Sequence, residues 1–272
     1  MSAVTLALPA SRRRSGKTVA TPSWWWPVVG IVAAVAAWWL VTDVLLAHRP
    51  LVAQFSPVLA VRGLVELARS GTLVDAAATS VFRLLAGILV AGVVGVGVGT
   101  AIGSSVRAEE ATRPVQLFLR MVSPLSWAPV AVIAFGVGDR PVVALVAAAT
   151  VWPILIATAD GVRAVNPGHR EVARSLGATR RETLRLVVWP TIRPRVLAGI
   201  RAALGLGWVV LVPAEMLGVT SGLGYQVLNA KDQLAYPHIT ALIVVIGTLG
   251  FALDVVARWA LATPRERRAA RG

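Results

Sequence analysis

The chain has 272 residues, of which 56% are hydrophobic, and its mean hydropathy is +0.72. A water-soluble domain of this length could not bury so much apolar surface, so lipid is the solvent for much of it. The net charge of +14 suits either a nucleic-acid binder or a membrane protein with one basic side, and the absence of cysteine excludes disulfides and thiolate sites.

In chain order, residues 1–23 read as a basic, disordered tail carrying Arg12, Arg13, Arg14 and Lys17. Within it "SRRRSGKT" imitates a phosphate-binding loop. Ser11 stands where that motif needs glycine, and no strand precedes it. No phosphate-binding loop occurs elsewhere, so any ATP this chain depends on is hydrolysed by another polypeptide. The expectation is a non-enzymatic chain that binds no cofactor. Three widely spaced histidines, His48, His169 and His238, do not build a metal site.

Six apolar stretches are long enough for a bilayer, which takes about 20 helical residues. They cover residues 24–46, 79–103, 117–135, 142–159, 197–217 and 239–257. The first is too long for a signal-peptide core and reads as a retained span. Between the first two, Ser56-Pro57 caps a short helix that ends at Gly71. Its Val58, Val61, Leu64, Val65 and Ala68 share one face, which predicts a helix lying on the outer membrane surface. In the second span Ala91, Gly95, Gly99 and Gly103 recur every four residues, either as a packing seam or as the glycine enrichment usual in membrane helices. Pro124 and Pro129 interrupt the third span and Pro153 lies inside the fourth, which favours a packed bundle over isolated anchors.

Charge orients the bundle. Of 27 basic residues, only Arg49, Arg62, Arg69, Arg83, Arg140 and Lys231 fall outside if both termini are cytoplasmic. The inside share includes Arg107, Arg113 and Arg120 after the second span, and nine arginines from Arg163 to Arg201. The positive-inside rule therefore accounts for the net charge without nucleic acid.

Those nine arginines surround "EVARSLGATRRETLRLVVWP", a hydrophilic stretch between the fourth and fifth spans. Asn166-Pro167 starts one helix and Gly177 ends it. Thr179 and Glu182 form a capping box for a second, which Pro190 is expected to stop. Leu184, Val187 and Val188 give the second helix an apolar stripe. A passive basic loop explains the arginines but not the paired caps. A DNA-reading helix-turn-helix would need a third helix for which there is little room. A docking element for a partner accounts for both caps and charge.

At these residues the chain resembles permease subunits of bacterial ATP-binding-cassette importers. Their loop carries Glu-Ala-Ala, three residues, Gly, and further on Ile-x-Leu-Pro. Here stand Glu171-Val172-Ala173, Gly177 and Val187-Val188-Trp189-Pro190, with Val172, Val187 and Trp189 as apolar departures. The likeness extends over roughly residues 50–260, including "PLSWAPVAVIAFGVGD" and "SGLGYQVLNAKD", and is strongest to the branch for nitrate, sulfonates and taurine.

The resemblance implies an all-α integral membrane protein: a bundle of about six transmembrane helices in residues 24–260, with a cytoplasmic coupling loop at 166–190 and a basic tail at 261–272. It implies two ATPase subunits, an external solute-binding protein and a second permease, expected to be a copy of this chain, in a bacterial inner membrane. Coupling would fall to Glu171, Ala173, Arg174, Leu176, Gly177 and Pro190. Path-lining candidates are Ser123, Ser126, Trp127 and Glu215, the last an ionisable group at membrane depth that could serve as a gate or as a structural hydrogen bond. A secondary transporter or channel is the main alternative, and a membrane-tethered DNA-binding regulator the second.

Overall fold

The computed structural model describes residues 25–261, so the two expected tails lie outside the described residues apart from Leu261. Among the described residues every regular element is helical. Among the described residues five helices are long and apolar enough to cross a membrane, or six where a sharply bent pair is counted as one span.

Helix α1 (Trp25–Trp39) runs into a π-helical turn, Leu40–Leu45. A single turn, α2 (Pro50–Ala53), leads to α3 (Pro57–Arg69), whose Ser56 cap accepts from the Val58 amide at 3.2 Å. Ser56 also donates to Asp43 at 2.9 Å, so the cap ties α3 back to the first span.

The short helix expected between the first two spans forms, and one of its faces packs on the bundle. Its Ala60 and Gly63 face packs on the start of the last span, where a side chain at Gly63 would meet the Pro237 carbonyl oxygen at 2.8 Å. The valine stripe remains exposed, with Val58 and Val61 lining an apolar groove beside α1. Small residues won the packed face because they let two backbones approach.

The centre of the molecule is three helices: α4 (Thr72–Gly103), α7 (Asp139–Arg163) and α10 (Trp189–Glu215). The four-residue row of α4 is the seam between α4 and α7. Ala91, Gly95, Gly99 and Gly103 are buried, and a Cβ at Gly99 would stand 2.6 Å from the Leu155 carbonyl oxygen and 2.9 Å from the Thr158 Cβ. Gly99→Val is therefore expected to lower stability by about 1–3 kcal/mol through overpacking. Gly97→Val, where nothing lies within 4 Å, should leave the melting temperature in detergent unchanged.

The third span differs most from expectation. Its helix α5 starts already at Val106, capped by Ser105, and runs to Met121. Val122 and Ser123 are extended, as residues ahead of a proline tend to be. A 3-10 turn, Pro124–Trp127, then leads into α6 (Ala128–Phe135) at 85° to α5. Beyond the centre lie α8 (Pro167–Ser175), α9 (Arg180–Glu182), α11 (Leu223–Asp232) and α12 (Tyr236–Ala260).

Candidate functional site

The segment between α7 and α10 forms an ordered elbow. Asn166 accepts from the Gly168 amide at 2.9 Å and opens α8. The helix closes with the Ala178 amide on the Ala173 carbonyl at 3.0 Å and the Gly177 amide on the Arg174 carbonyl at 2.9 Å. This is a Schellman closure, and Gly177 occupies its left-handed position with φ +81°. The capping box forms as expected: Thr179 Oγ1 accepts from the Glu182 amide at 3.2 Å, and Glu182 Oε2 accepts from the Thr179 amide at 2.8 Å.

Pro190 does not stop the second helix. Residues Arg180–Glu215 run on continuously through a π-helical turn at Thr183–Val188. An ordinary turn would aim a carbonyl at the Pro190 ring, and the widened turn just before it is where the helix absorbs that conflict. The elbow is thus the first part of the fifth span itself. A cluster of Val162, Val165, Val188, Ile192 and Val196, all buried, seats it against the end of α7. Arg170 adds a bond from Nη2 to the Val162 carbonyl at 2.6 Å.

The coupling candidates fall together at this elbow. Glu171, Arg174, Gly177 and Pro190 are exposed, Ala173 is half-buried, and Leu176 is 82% exposed. Val172 and Leu186 are likewise bare, at 60% and 70% exposure. The expected stripe is only partly covered: Val188 is buried, whereas Leu184 is not. The result is a helical, basic projection with uncovered apolar side chains, held by hydrogen bonds and an apolar seat.

The path candidates separate. Trp127 lines a partly open cavity of about 620 Å³ at the α5–α6 bend, bounded by α7 and α10. Ser123 and Ser126 sit at the same bend, exposed, and do not line it. Glu215 lies elsewhere, fully buried at the end of α10. Its carboxylate accepts from Arg83 at 2.8 Å, from Ser80 Oγ at 2.9 Å and from the Gly224 amide at 2.9 Å. Arg83 also reaches Asp139 at 2.6 Å and the Ser221 carbonyl at 2.8 Å. A side chain at Gly222 would overlap both the Glu215 carboxylate and the Arg83 guanidinium, and Gly222 has φ +98°. Four elements (α4, α7, α10 and the turn before α11) therefore meet at one ion pair.

Two arginines counted above as loop cations lie elsewhere: Arg83 is buried in the bundle, and the exposed Arg120 lines the cavity at the α5–α6 bend. Arg83 is 1% exposed, and its ion pair was readable as opposite charges near the same end of the second and fifth spans. Arg120 lines the cavity with Trp127 and Trp152, and it lay within the boundaries expected for the third span. Both corrections leave the positive-inside asymmetry in place.

Taken together, the fold defines a multi-pass helical membrane protein whose broken third span faces a tightly packed trio and whose elbow is continuous with the fifth span. The chain belongs to the family described as binding-protein-dependent transport system inner membrane component, which matches residues 84–263. It is 34% identical over 182 residues to the bicarbonate transport system permease protein CmpB of Synechococcus elongatus, covering 66% of this chain and 65% of that protein. It is 35% identical over 178 residues to the taurine transport system permease protein TauC of Escherichia coli, covering 65% of each. The match thus spans just under two thirds of either relative's own length. A crystal structure of an amino acid ABC transporter shares the fold at TM-score 0.55 and 17% identity, covering 75% of this chain and 97% of that one.

Proposed function

We propose that this chain is the membrane-spanning permease subunit of an ATP-driven importer that carries a small anion of the nitrate, alkanesulfonate or taurine type. The observation that carries this reading is the elbow: a doubly capped, apolar-seated projection continuous with the fifth span, with Val172, Leu176 and Leu186 uncovered. A rigid projection transmits displacement to the span it continues, whereas a disordered loop would absorb it. Two cytoplasmic ATPase subunits supply the displacement, and Glu171 and Arg174 pair with donors and carboxylates on them. An external binding protein delivers the solute, and a second copy of this chain completes the passage. The permease sits in a bacterial inner membrane with both termini in the cytoplasm, binds no cofactor and contacts no nucleic acid. Membership of the family and the likeness to permeases for bicarbonate and taurine support the anionic class.

The test is uptake of labelled taurine or 1-butanesulfonate into vesicles carrying the purified chain, with and without the ATPase subunits and binding protein. Uptake that requires ATP and all components is expected. Uptake by the chain alone, driven by an ion gradient, would replace this reading with a secondary transporter.

A further inference from the structure

The cavity at the α5–α6 bend has a depth that can be read from the structure. Asp139 and Glu215 both bond Arg83, so they mark one level. At about 1.5 Å rise per residue, Ala148 and Ile156 of the cavity wall lie about 14 and 26 Å along α7 from Asp139. Val210 and Ala202 lie about 8 and 20 Å along α10 from Glu215. The cavity therefore lies between the two ends of α7 and α10, within the spanning part of both helices.

Among the described residues Arg120 is the one charged residue in that wall, and its neighbours there are Leu, Val, Ile, Ala, Pro and Trp. It is exposed, and among the described residues no hydrogen bond or ion pair is recorded for it. Arg83 shows the contrast: it is buried and bonded to Glu215, Asp139 and Ser221, which is how a structural cation is held within a bundle. A charged side chain within the apolar part of a bundle is costly on insertion scales. Such residues face wet cavities and mark solute paths. Among the described residues no carboxylate or hydrogen-bond acceptor pairs with the Arg120 charge.

We propose that the cavity lined by Arg120, Trp127 and Trp152 is an anion site on the translocation path, with Arg120 the cation that receives the solute's oxyanion group. The planar guanidinium fork matches two oxygens of a sulfonate or carboxylate. The apolar walls suit a short carbon tail, which favours an organic sulfonate over a bare inorganic ion. This inference rests on the permease reading above and assigns it a residue.

The absence of cysteine allows a direct test. Arg120→Cys, in the complete importer with its ATPase and binding protein, is expected to cut butanesulfonate uptake by about thirtyfold or more, the range seen when one partner of a desolvated charge pair is removed. Arg120→Lys should keep most of it. Reaction of the introduced thiol with a water-soluble trimethylammonium-ethyl methanethiosulfonate, which displaces methanesulfinate and leaves a cationic disulfide, should restore uptake. The anionic sulfonatoethyl reagent should not. Co-elution of the ATPase subunits and an unchanged melting temperature show that the charge, not assembly, was lost. Equal uptake by Arg120→Cys and the natural chain, or equal rescue by both reagents, overturns the site while leaving the permease reading intact. A natural complex that takes up no anion overturns the permease reading and the site with it.

Discussion

Arg83→Met is expected to destabilise the protein by roughly 3–5 kcal/mol, because it leaves the Glu215 carboxylate buried without its counter-charge. For a chain of this size that corresponds to a fall of about 10 °C in melting temperature. Glu215 keeps its bonds from Ser80 and the Gly224 amide, but two neutral donors do not balance a full charge at zero exposure. The effect should reach beyond α4, since the same guanidinium holds Asp139 at the start of α7 and Ser221 ahead of α11. The double variant Arg83→Met with Glu215→Gln removes both charges and should recover a large part of the loss. Thermal melting of the detergent-purified protein checks both. An unchanged melting temperature in the single variant would mean that the pair does not hold these elements together.

The second large effect is on transport. Gly177→Asp places a side chain at φ +81° in the turn that fixes the angle between α8 and the following helix. Nothing lies within 4 Å of the added Cβ, so the cost is backbone strain in the elbow and not a clash in the core. The left-handed conformation costs a residue with a Cβ about 1–2 kcal/mol. At this exposed position the aspartate also adds a negative charge to the basic surface proposed to meet the ATPase. Glu171→Lys attacks the same surface through charge alone. Both variants are expected to insert normally and to lose ATP-driven uptake. Membrane fractionation with uptake measured on the same vesicles checks this. Normal uptake by either correctly inserted variant would contradict the elbow's role in coupling.

Local signals in the chain were read well where the chemistry is local. The capping box of Thr179 and Glu182, the Asn166-Pro167 start, the glycine turn at Gly177 and the Ser56-Pro57 cap depend on residues within four positions of each other. Their side chains decide their own geometry. The α4 seam was visible as a spacing, though its partner α7 was not. What periodicity could not show was long-range pairing. Arg83 meets Glu215 across 132 positions, and nothing in either segment alone distinguishes a snorkelling cation from a buried one. The continuation through Pro190 was missed for another reason: a proline usually ends a helix, and the π-helical turn that rescues it leaves no compositional trace. The 85° bend at Ser123-Pro124 was half legible, since the prolines marked the interruption but not its angle.

The most direct test of the central claim is a distance measurement in the assembled complex. Spin labels at Val172→Cys and Leu184→Cys within one elbow, and at Val172→Cys in each of two permease copies, can be placed without background because the natural chain has no cysteine. The account predicts that the distance within the elbow stays fixed on ATP binding while the distance between the two copies changes. A within-elbow distance that broadens or shifts with nucleotide, with no change between copies, would contradict it.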